Sequence, residues 1–426
     1  YYYSARRKFM KYPTQAVVFC GGLGTRLRPL TNHLPKPMAP IFGKPFLEYL
    51  LEQLSEQGIN RFVLLTGYLG GMIQEHFSNG NEWGWDIEYS HGPEDWDTGR
   101  RFWEARKLLD ERFFLLYSDN FVQFNLKKLM DLHQKEEVAV SLLLAKKLNG
   151  NIRVSSSGRI EAYDKSRKNN HLDFVEIGYM VVERDFILAL YNEIPNIPDI
   201  SFTSILESLV EKKQISGLVI KDPYHSISDV DRLELISKYF KPKKIILIDR
   251  DGTINVKAPQ GTYIKTWEEF EWINDSVQAM KKLSKKGYSF IVITNQAGIA
   301  RNMISENELK RIHQQMVSEL KSNGVMILGI YVCPHHWNDN CDCRKPKAGL
   351  FNRVAKEHLL RMDKTLYIGD DVRDSEAAYN AECGSVLIAS NGAYESINNK
   401  PKWSINVSRL GDALPEIESY MSRKLA

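Results

Sequence analysis

Two carboxylates one residue apart, in Asp249-Arg250-Asp251-Gly252-Thr253, directly follow the apolar run Ile245-Ile246-Leu247-Ile248. That run reads as a buried strand, so the pair sits at a strand's carboxyl end, where open α/β sheets hold their ligands. The arrangement suits magnesium and a phosphate. A second constellation, Cys333-Pro334-His335-His336 followed by Cys341-Asp342-Cys343, puts three thiols and an imidazole in one short loop. Such a set suits tetrahedral zinc, and with every position filled by protein the metal would be structural, pinning the loop that ends in Arg344-Lys345. A third lies near the amino terminus, where Gly21-Gly22-Leu23-Gly24-Thr25-Arg26 follows the strand-like Gln15 to Cys20. Glycines let backbone amides approach a phosphate closely, and Arg26 adds a bidentate donor for oxyanions. Lys36, in Leu34-Pro35-Lys36-Pro37-Met38, supplies a second cation on a stiffened loop.

Strand-like and helix-like segments alternate on both sides of the central aspartates, which predicts three-layer α/β architecture in each half. Strands are expected at Gln15 to Cys20, Arg61 to Thr66, Phe113 to Tyr117 and Val138 to Ala145, with a helix over Pro45 to Gln57 ended by Gly58. Asn149 to Asn170 is polar, with a hairpin expected near Ser155 to Gly158. A helix over Asp231 to Phe240 runs into Lys241-Pro242-Lys243-Lys244, a basic, proline-containing boundary that predicts domains 1–240 and 241–426. Beyond it, strands are expected at Lys244 to Ile248, Phe290 to Thr294, Ile327 to Val332, Thr365 to Ile368 and Ser385 to Ile388, with helices over Ser276 to Lys286 and Ser305 to Asn323.

At 426 residues the chain exceeds the usual size of a single core. Hydrophobic residues at 43% and charged residues at 26% are ordinary for a globular protein, and a net charge of +4 gives at most a mild bias toward phosphorylated substrates. No apolar run reaches membrane-spanning length, and the start Tyr1 to Lys11 lacks the apolar core of a signal peptide. The expectation is a cytoplasmic protein acting on small molecules, with neither nucleic acid nor membrane as partner and with a homo-oligomer left open. Cys20 and Cys383 read as small buried apolar residues.

The glycine loop followed by Pro35-Lys36-Pro37 resembles the signature of the sugar-phosphate nucleotidylyltransferases over roughly residues 15–235. The resemblance implies a Rossmann-like domain in which a sugar 1-phosphate attacks the α-phosphorus of a nucleoside triphosphate. It makes Gly21, Gly22, Gly24 and Thr25 the nucleotide-binding loop, Arg26 and Lys36 the catalytic cations, and Asp119 and Asp229 the magnesium ligands. Lys165 and the segment holding Glu176 and Gly178 would face the sugar phosphate. Thr98 and Gly99 would lie near the base, although Arg100 stands where the family has a second small residue. Thr98-Gly99-Arg100 looks like cytidylyltransferases, whereas Lys36 to Leu50 looks more like heptose 1-phosphate guanylyltransferases, so GTP is favoured and CTP remains open. Trp83, Trp85, Trp96 and Trp103 are expected mainly to pack, with base stacking the alternative.

Asp249-x-Asp251-Gly-Thr resembles the first motif of the haloacid dehalogenase superfamily, and Thr294, Lys345 and Gly369-Asp370-Asp371 follow in that family's order. The resemblance implies a haloacid dehalogenase-like phosphatase with Asp249 as nucleophile, Asp251 as acid/base, and Thr294 and Lys345 on the phosphoryl oxygens. Magnesium would be held by Asp249, the Asp251 carbonyl and Asp370, with Asp371 in support. Cys-x-His spacing in the related zinc loops favours His335 over His336 as ligand. The run Asn295 to Arg301 and Cys341 to Pro346 look closest to D-glycero-D-manno-heptose 1,7-bisphosphate 7-phosphatases, with Arg301 and Arg344 as contacts for a distal phosphate. The two halves then form a sequence in which the phosphatase supplies the heptose 1-phosphate that the transferase consumes. The alternatives are a cytidylyltransferase fused to a phosphatase for another sugar or polyol phosphate, and a phosphatase carrying a non-catalytic nucleotide-sugar-sensing domain.

Overall fold

Along the strand Ile245–Ile248 and its neighbour Ser289–Asn295, successive residues divide between two cores. Ile246, Ile248, Phe290 and Val292 pack into one apolar cluster, while Ile245, Leu247, Ile291 and Ile293 pack into another. Strands alternate their side chains across the sheet, so a run that is apolar at every position must be covered on both faces. That is a three-layer unit.

The computed structural model describes residues 11–166, 172–193, 200–220, 223–389, 394–397 and 399–425. The end of the polar segment, Asn169-Asn170, and Tyr1 to Met10 lie outside the described residues. Contacts divide the chain into Tyr1–Lys238 and Tyr239–Ala426. The first unit contains β1 (Gln15–Cys20), β2 (Pro40–Ile41), β3 (Lys44–Pro45), β4 (Arg61–Thr66), β5 (Asp86–His91), β6 (Arg112–Tyr117), β7 (Asn120–Phe121), β8 (Val140–Lys146), β9 (Ile152–Val154), β10 (Ile160–Tyr163), β11 (Phe174–Glu183), β12 (Ile215–Val219) and β13 (His225–Ser226). The second contains β14 (Ile245–Ile248), β15 (Ser289–Asn295), β16 (Ile327–Cys333), β17 (Leu366–Gly369), β18 (Gly384–Ile388) and β19 (Ser404–Val407).

The large sheet of the first unit has the order β10-β9-β11-β6-β1-β4-β5, with β8 pairing β11 and β12. It is mixed: β1 runs parallel to β4 and β6, while β11 runs antiparallel to β6 and β8. Because β1 lies between β4 and β6, the loop after it opens at a point where connections diverge to either side. The expected hairpin is β9–β10, joined by Ser155 to Gly158, with Ser155 N–H donating to Arg159 O at 2.8 Å. The helix expected over Pro45 to Gln57 spans Phe46–Ser55, its last turn closing on Gly58 at φ +90°. Trp83 stacks on Trp85 with centroids 5.4 Å apart, and Trp103 stacks on Tyr191 at 5.1 Å, so these three rings serve packing.

The second sheet is wholly parallel, in the order β16-β15-β14-β17-β18-β19. The chain leaves β14 toward β15 on one side and later returns to β17 on the other, so a crevice forms at the carboxyl ends of these three strands. Ser305 caps the helix Glu306–Ser322 by accepting from Glu308 N–H at 3.1 Å, and Asp371 and Asp374 form a capping box on Val372–Asn380. Among the described residues no helix is long and apolar enough to cross a membrane.

Leu247, fully buried at the centre of the second sheet, sets a packing test. Leu247→Ala should lower the stability of this unit by ~2–5 kcal/mol, read from the shift of its urea-unfolding midpoint.

Candidate active sites

At the end of β14, Asp249 is buried and its carboxylate meets two others, Asp370 after β17 and Asp374 in the first turn of Val372–Asn380. The three offer oxygens that all lie within 4.8 Å of one another. Lys345 answers this charge, with Nζ 2.9 Å from Asp249 Oδ1 and 2.8 Å from Asp374 Oδ1, and it also donates to the Tyr367 hydroxyl at 2.7 Å. Burial alone would discharge the lysine, but the Asp249 and Asp374 carboxylates outweigh it and hold the pKa above the ordinary lysine value. For Asp249 burial is the largest influence and pushes its pKa up to about 7, despite Lys345, with Asp374 adding to the rise. Asp370 Oδ1 and Asp249 Oδ1 are buried and accept no hydrogen bond, the latter meeting Lys345 only as an ion pair. Hard, anionic oxygens left in this state fit a magnesium ion.

Asp251 faces a different way. Its carboxylate receives Arg250 Nη2 at 2.8 Å, Gln296 Nε2 at 2.7 Å and Asn255 Nδ2 at 3.0 Å. Burial pushes Asp251 up, yet Arg250, Asn255 and Gln296 together hold it below the usual carboxylate range. Arg250 is itself fully buried and donates to His313 Nε2 at 2.9 Å. Gln296 also donates to Thr294 Oγ1 at 2.9 Å, so one amide links the expected acid/base to the expected phosphoryl-binding hydroxyl. Gly252, at φ +85°, is required here twice over, since a Cβ would lie 2.2 Å from Asp370 Oδ2.

A cavity of ≈ 270 Å³ opens over these groups, lined by Asp249, Asp251, Thr294, Lys345 and Arg344 on one side and by the segment Lys257 to Ile264 on the other. Arg301 lies beside it, over the Tyr263 and Trp337 rings at 5.7 and 5.5 Å. Asn295 ties the lysine loop to β15 by a reciprocal pair, accepting from Lys345 N–H at 3.1 Å and donating to Lys345 O at 3.3 Å. Asp371 caps its helix and pairs with Arg373 at 2.7 Å.

Further along the lysine loop, sulfur separations among Cys333, Cys341 and Cys343 are 3.3, 3.5 and 3.7 Å, and His335 Nδ1 lies 3.1 Å from Cys343 Sγ. A tetrahedral ion with metal–sulfur bonds of about 2.3 Å needs sulfurs about 3.8 Å apart, so the cluster is nearly preformed for one. His336 is engaged elsewhere, its Nδ1 accepting from Asn338 N–H to cap a short 3₁₀ turn.

In the first unit, a cavity of ≈ 430 Å³ is lined by Gly21 and Gly22 from the loop after β1, by Lys36, Trp96, Thr98, Asp119 and Glu176, and by neighbouring residues. Lys36 Nζ lies 2.8 Å from Asp119 Oδ2. The short β7–β13 pair brings the second aspartate to the same end of the sheet, with Ile227 N–H donating to Asp119 O at 3.0 Å and Asp229 two residues further on. A backbone hydrogen bond from Arg232 is the main cause holding Asp229 below its usual range, with Ser228, Arg232 and Arg26 adding to it. Asp119 lines the cavity, whereas Asp229 lies outside its lining and accepts from Arg232 N–H at 3.0 Å. Gly24 (φ +61°) precedes the 3₁₀ turn Thr25–Leu27, on which Thr25 and Arg26 are exposed.

The remaining expected residues divide. Glu176 accepts from Gly178 N–H at 2.7 Å, and Gly178, at φ +79°, leaves room for Tyr117. Lys165 is outside the cavity lining, its Nζ donating to Ser201 Oγ at 2.7 Å. The Gly99 amide already donates to Ile200 O at 3.0 Å, and Thr98 Oγ1 accepts from Phe202 N–H at 2.8 Å, so this run anchors a helix as well as lining the cavity. Arg100 pairs with Glu104 and stacks on Trp96. The neighbour that sequence reasoning passed over, Arg101, is buried and donates to Thr66 O at 2.7 Å, Pro93 O at 2.6 Å and, at 3.4 Å, to Gly21 O and Gly92 O. A Cβ on Gly21 would strike its guanidinium at 2.4 Å.

Residues 15–223 match the nucleotidyl transferase family model and residues 244–393 the polynucleotide kinase 3 phosphatase model. The D-glycero-beta-D-manno-heptose-1,7-bisphosphate 7-phosphatase of Pasteurella multocida is 32% identical over 181 residues, covering 41% of this chain and 96% of its own length. The D-glycero-alpha-D-manno-heptose-1,7-bisphosphate 7-phosphatase of Mycobacterium bovis is 34% identical over 175 residues, covering 38% and 90%. Through its second unit the chain belongs to the D-glycero-D-manno-heptose-1,7-bisphosphate 7-phosphatase family. The whole chain is a nucleotidyltransferase joined to a phosphatase. Among solved structures, HddC from Yersinia pseudotuberculosis is 22% identical and covers 54% of this chain and all of its own (100%), with a TM-score of 0.44.

In this heptose-phosphatase family member, a raised Asp249 makes proton and metal competitors for one carboxylate. Since the metal binds the ionised form, affinity of the phosphatase site for Mg²⁺ should fall as pH drops below about 7 and level off above it, checked by metal titration from pH 5.5 to 8.5.

Proposed function

We propose that the second unit removes the 7-phosphate of a D-glycero-D-manno-heptose 1,7-bisphosphate and that the first transfers a nucleotidyl group to the resulting heptose 1-phosphate, with GTP the favoured donor. The observation that carries the phosphatase reading is the buried Asp249–Lys345–Asp374 cluster under a cavity edged by Arg344. An Asp249 oxygen attacks the 7-phosphate phosphorus, the bond to the sugar oxygen breaks, and Asp251 protonates that oxygen. Water, deprotonated by Asp251, then attacks the phosphorus of the aspartyl phosphate and frees inorganic phosphate. Asp251 as placed is the base; to act as acid it must take a proton and leave the Arg250 and Gln296 donors. Thr294 and Lys345 hold the phosphoryl oxygens, and Arg301 and Arg344 receive the distal phosphate. Magnesium, held by Asp249, the Asp251 carbonyl and Asp370, would offset the charge gathering on the phosphoryl group.

In the first unit, an oxygen of the sugar 1-phosphate attacks the α-phosphorus of the triphosphate and pyrophosphate leaves. Gly21 and Gly22 present amides to the phosphates, Lys36 and Arg26 offset charge, and Glu176 faces the sugar; Asp119 and Asp229 would hold magnesium. A cytidylyl donor is the second reading, favoured by the run Thr98-Gly99-Arg100. The relatives' names include both alpha and beta anomers. A structural zinc on Cys333, His335, Cys341 and Cys343 would keep the Lys345 loop in place.

With the bisphosphate, Mg²⁺ and each nucleoside triphosphate in turn, the purified chain should release phosphate and form one nucleotide heptose, greatest with GTP. Phosphate release without any nucleotide heptose would refute the coupled reading. Asp249→Asn should abolish phosphate release yet still accept heptose 1-phosphate, and Asp119→Asn should do the reverse. Elemental analysis should find about one zinc per chain, lost in Cys341→Ser together with most phosphatase activity.

A further inference from the structure

Lys257 begins the segment that forms one wall of the phosphatase cavity, and nothing in the nucleophile, acid/base or phosphoryl-binding set accounts for it. Its Nζ donates to Asp370 Oδ2 at 2.8 Å and lies 4.0 Å from Asp371 Oδ2. The other Asp370 oxygen, Oδ1, is buried without a hydrogen bond, and Asp370 offers a carboxylate oxygen within 4.8 Å of those of Asp249 and Asp374. One oxygen is therefore held from the cavity wall while its twin is left for a cation. On the remaining side the carboxylate is packed against Gly252, where even a Cβ would not fit. From Lys257 the wall continues through a turn in which Thr262 N–H and Oγ1 both bond Pro259 O, at 2.9 and 2.6 Å, and then to Tyr263, whose ring lies under Arg301.

We propose that Lys257 is a positioning residue: it fixes the rotamer of the metal ligand Asp370 through Oδ2, and thereby ties the 257–263 wall of the cavity to metal occupancy. This rests on the reading that Asp249 and Asp370 hold a divalent ion. A carboxylate that ligates a metal through one oxygen is held in direction by a donor on the other, and loss of such an outer partner typically weakens metal affinity about 10–100-fold. The opposite idea is that the ammonium merely stands in for the metal and must be displaced. It requires Lys257 to cover the oxygen the metal uses, whereas the uncovered oxygen is Oδ1. The two ideas give opposite signs. If Lys257 supports the ligand, its removal weakens metal binding; if it competes, removal tightens it.

The test uses the full chain carrying Asp119→Asn and Asp229→Asn, so that the phosphatase site dominates divalent binding, with Mn²⁺ as probe and free Mn²⁺ read by electron paramagnetic resonance. Lys257→Met should raise the Mn²⁺ dissociation constant by about 10–100-fold, and Lys257→Arg should restore most of the affinity. Lys257 is half-exposed, so both variants should fold. Phosphate release by Lys257→Met should recover to near the parent kcat at saturating metal. An unchanged or tighter Mn²⁺ affinity in Lys257→Met overturns the proposal, as does a kcat that stays low at saturating metal, which would place Lys257 on the substrate. Asp370→Asn is the separate control: if it binds Mn²⁺ as its parent does, the metal site itself is misassigned, whatever Lys257 does.

Discussion

The ion cluster of Lys345 with Asp249 and Asp374 is the constraint around which the phosphatase unit is arranged. Three carboxylates at the mouth of a sheet repel one another, and in a buried crevice the repulsion is weakly screened. One ammonium placed between two of them makes the arrangement tolerable, and removing it would strand buried charge at a cost of ~3–5 kcal/mol. The lysine must therefore arrive at a fixed point from a loop, and two devices deliver it. Asn295 bonds the Lys345 backbone in both directions, and the Cys333–His335–Cys341–Cys343 cluster gathers the preceding loop. Asp249, Asp374 and Lys345 are thereby gathered at one point of the crevice.

The transferase unit meets a related need by different means. Its loop after β1 has few side chains with which to hold itself in place. Arg101, buried and turned toward the carbonyls of Gly21, Thr66, Gly92 and Pro93, joins the ends of three strands that carry the cavity. A guanidinium suits this task because its planar fork donates to several carbonyls at once. Lys36 and Asp119, which both line the same cavity, hold each other as an ion pair.

Much of this was legible in the residues. Strand runs such as Gln15 to Cys20 and Arg61 to Thr66 fell within a residue of the observed elements because buried parallel strands are continuous apolar runs with turn residues at each end. The places of Asp249, Asp251, Thr294 and Asp370 were readable because each stands at or just after the end of such a run, whereas Lys345, in a loop, was marked only by its order in the chain and the cysteines before it. Asp374 was not: in sequence it is the last member of an Asp-x-x-Asp capping box, and its second role beside Lys345 exists only once Val372–Asn380 is packed against β17. Gln296, Asn255 and His313 escaped for a similar reason, since polar residues acquire a partner only through contacts distant in the chain. Arg101 shows the limit most clearly, because an arginine next to another arginine reads as surface until three strand ends converge on it.

Local pattern decided the existence of two α/β units, the strand ends that carry carboxylates, and the cysteine and histidine set of the Cys333–Cys343 loop, because these follow from periodicity and from residues close in the chain. Tertiary structure decided which charges meet. The antiparallel β7–β13 pair brings Asp229 to the Asp119 end of the sheet, and the strand order β15-β14-β17 sets Lys345 between Asp249 and Asp374. It also divided Asp249 from Asp251, one turned to a buried ion cluster and the other to Arg250, although they stand one residue apart. Environment, which separates their pKa values, is a property of the packed sheet ends and has no expression in the spacing alone.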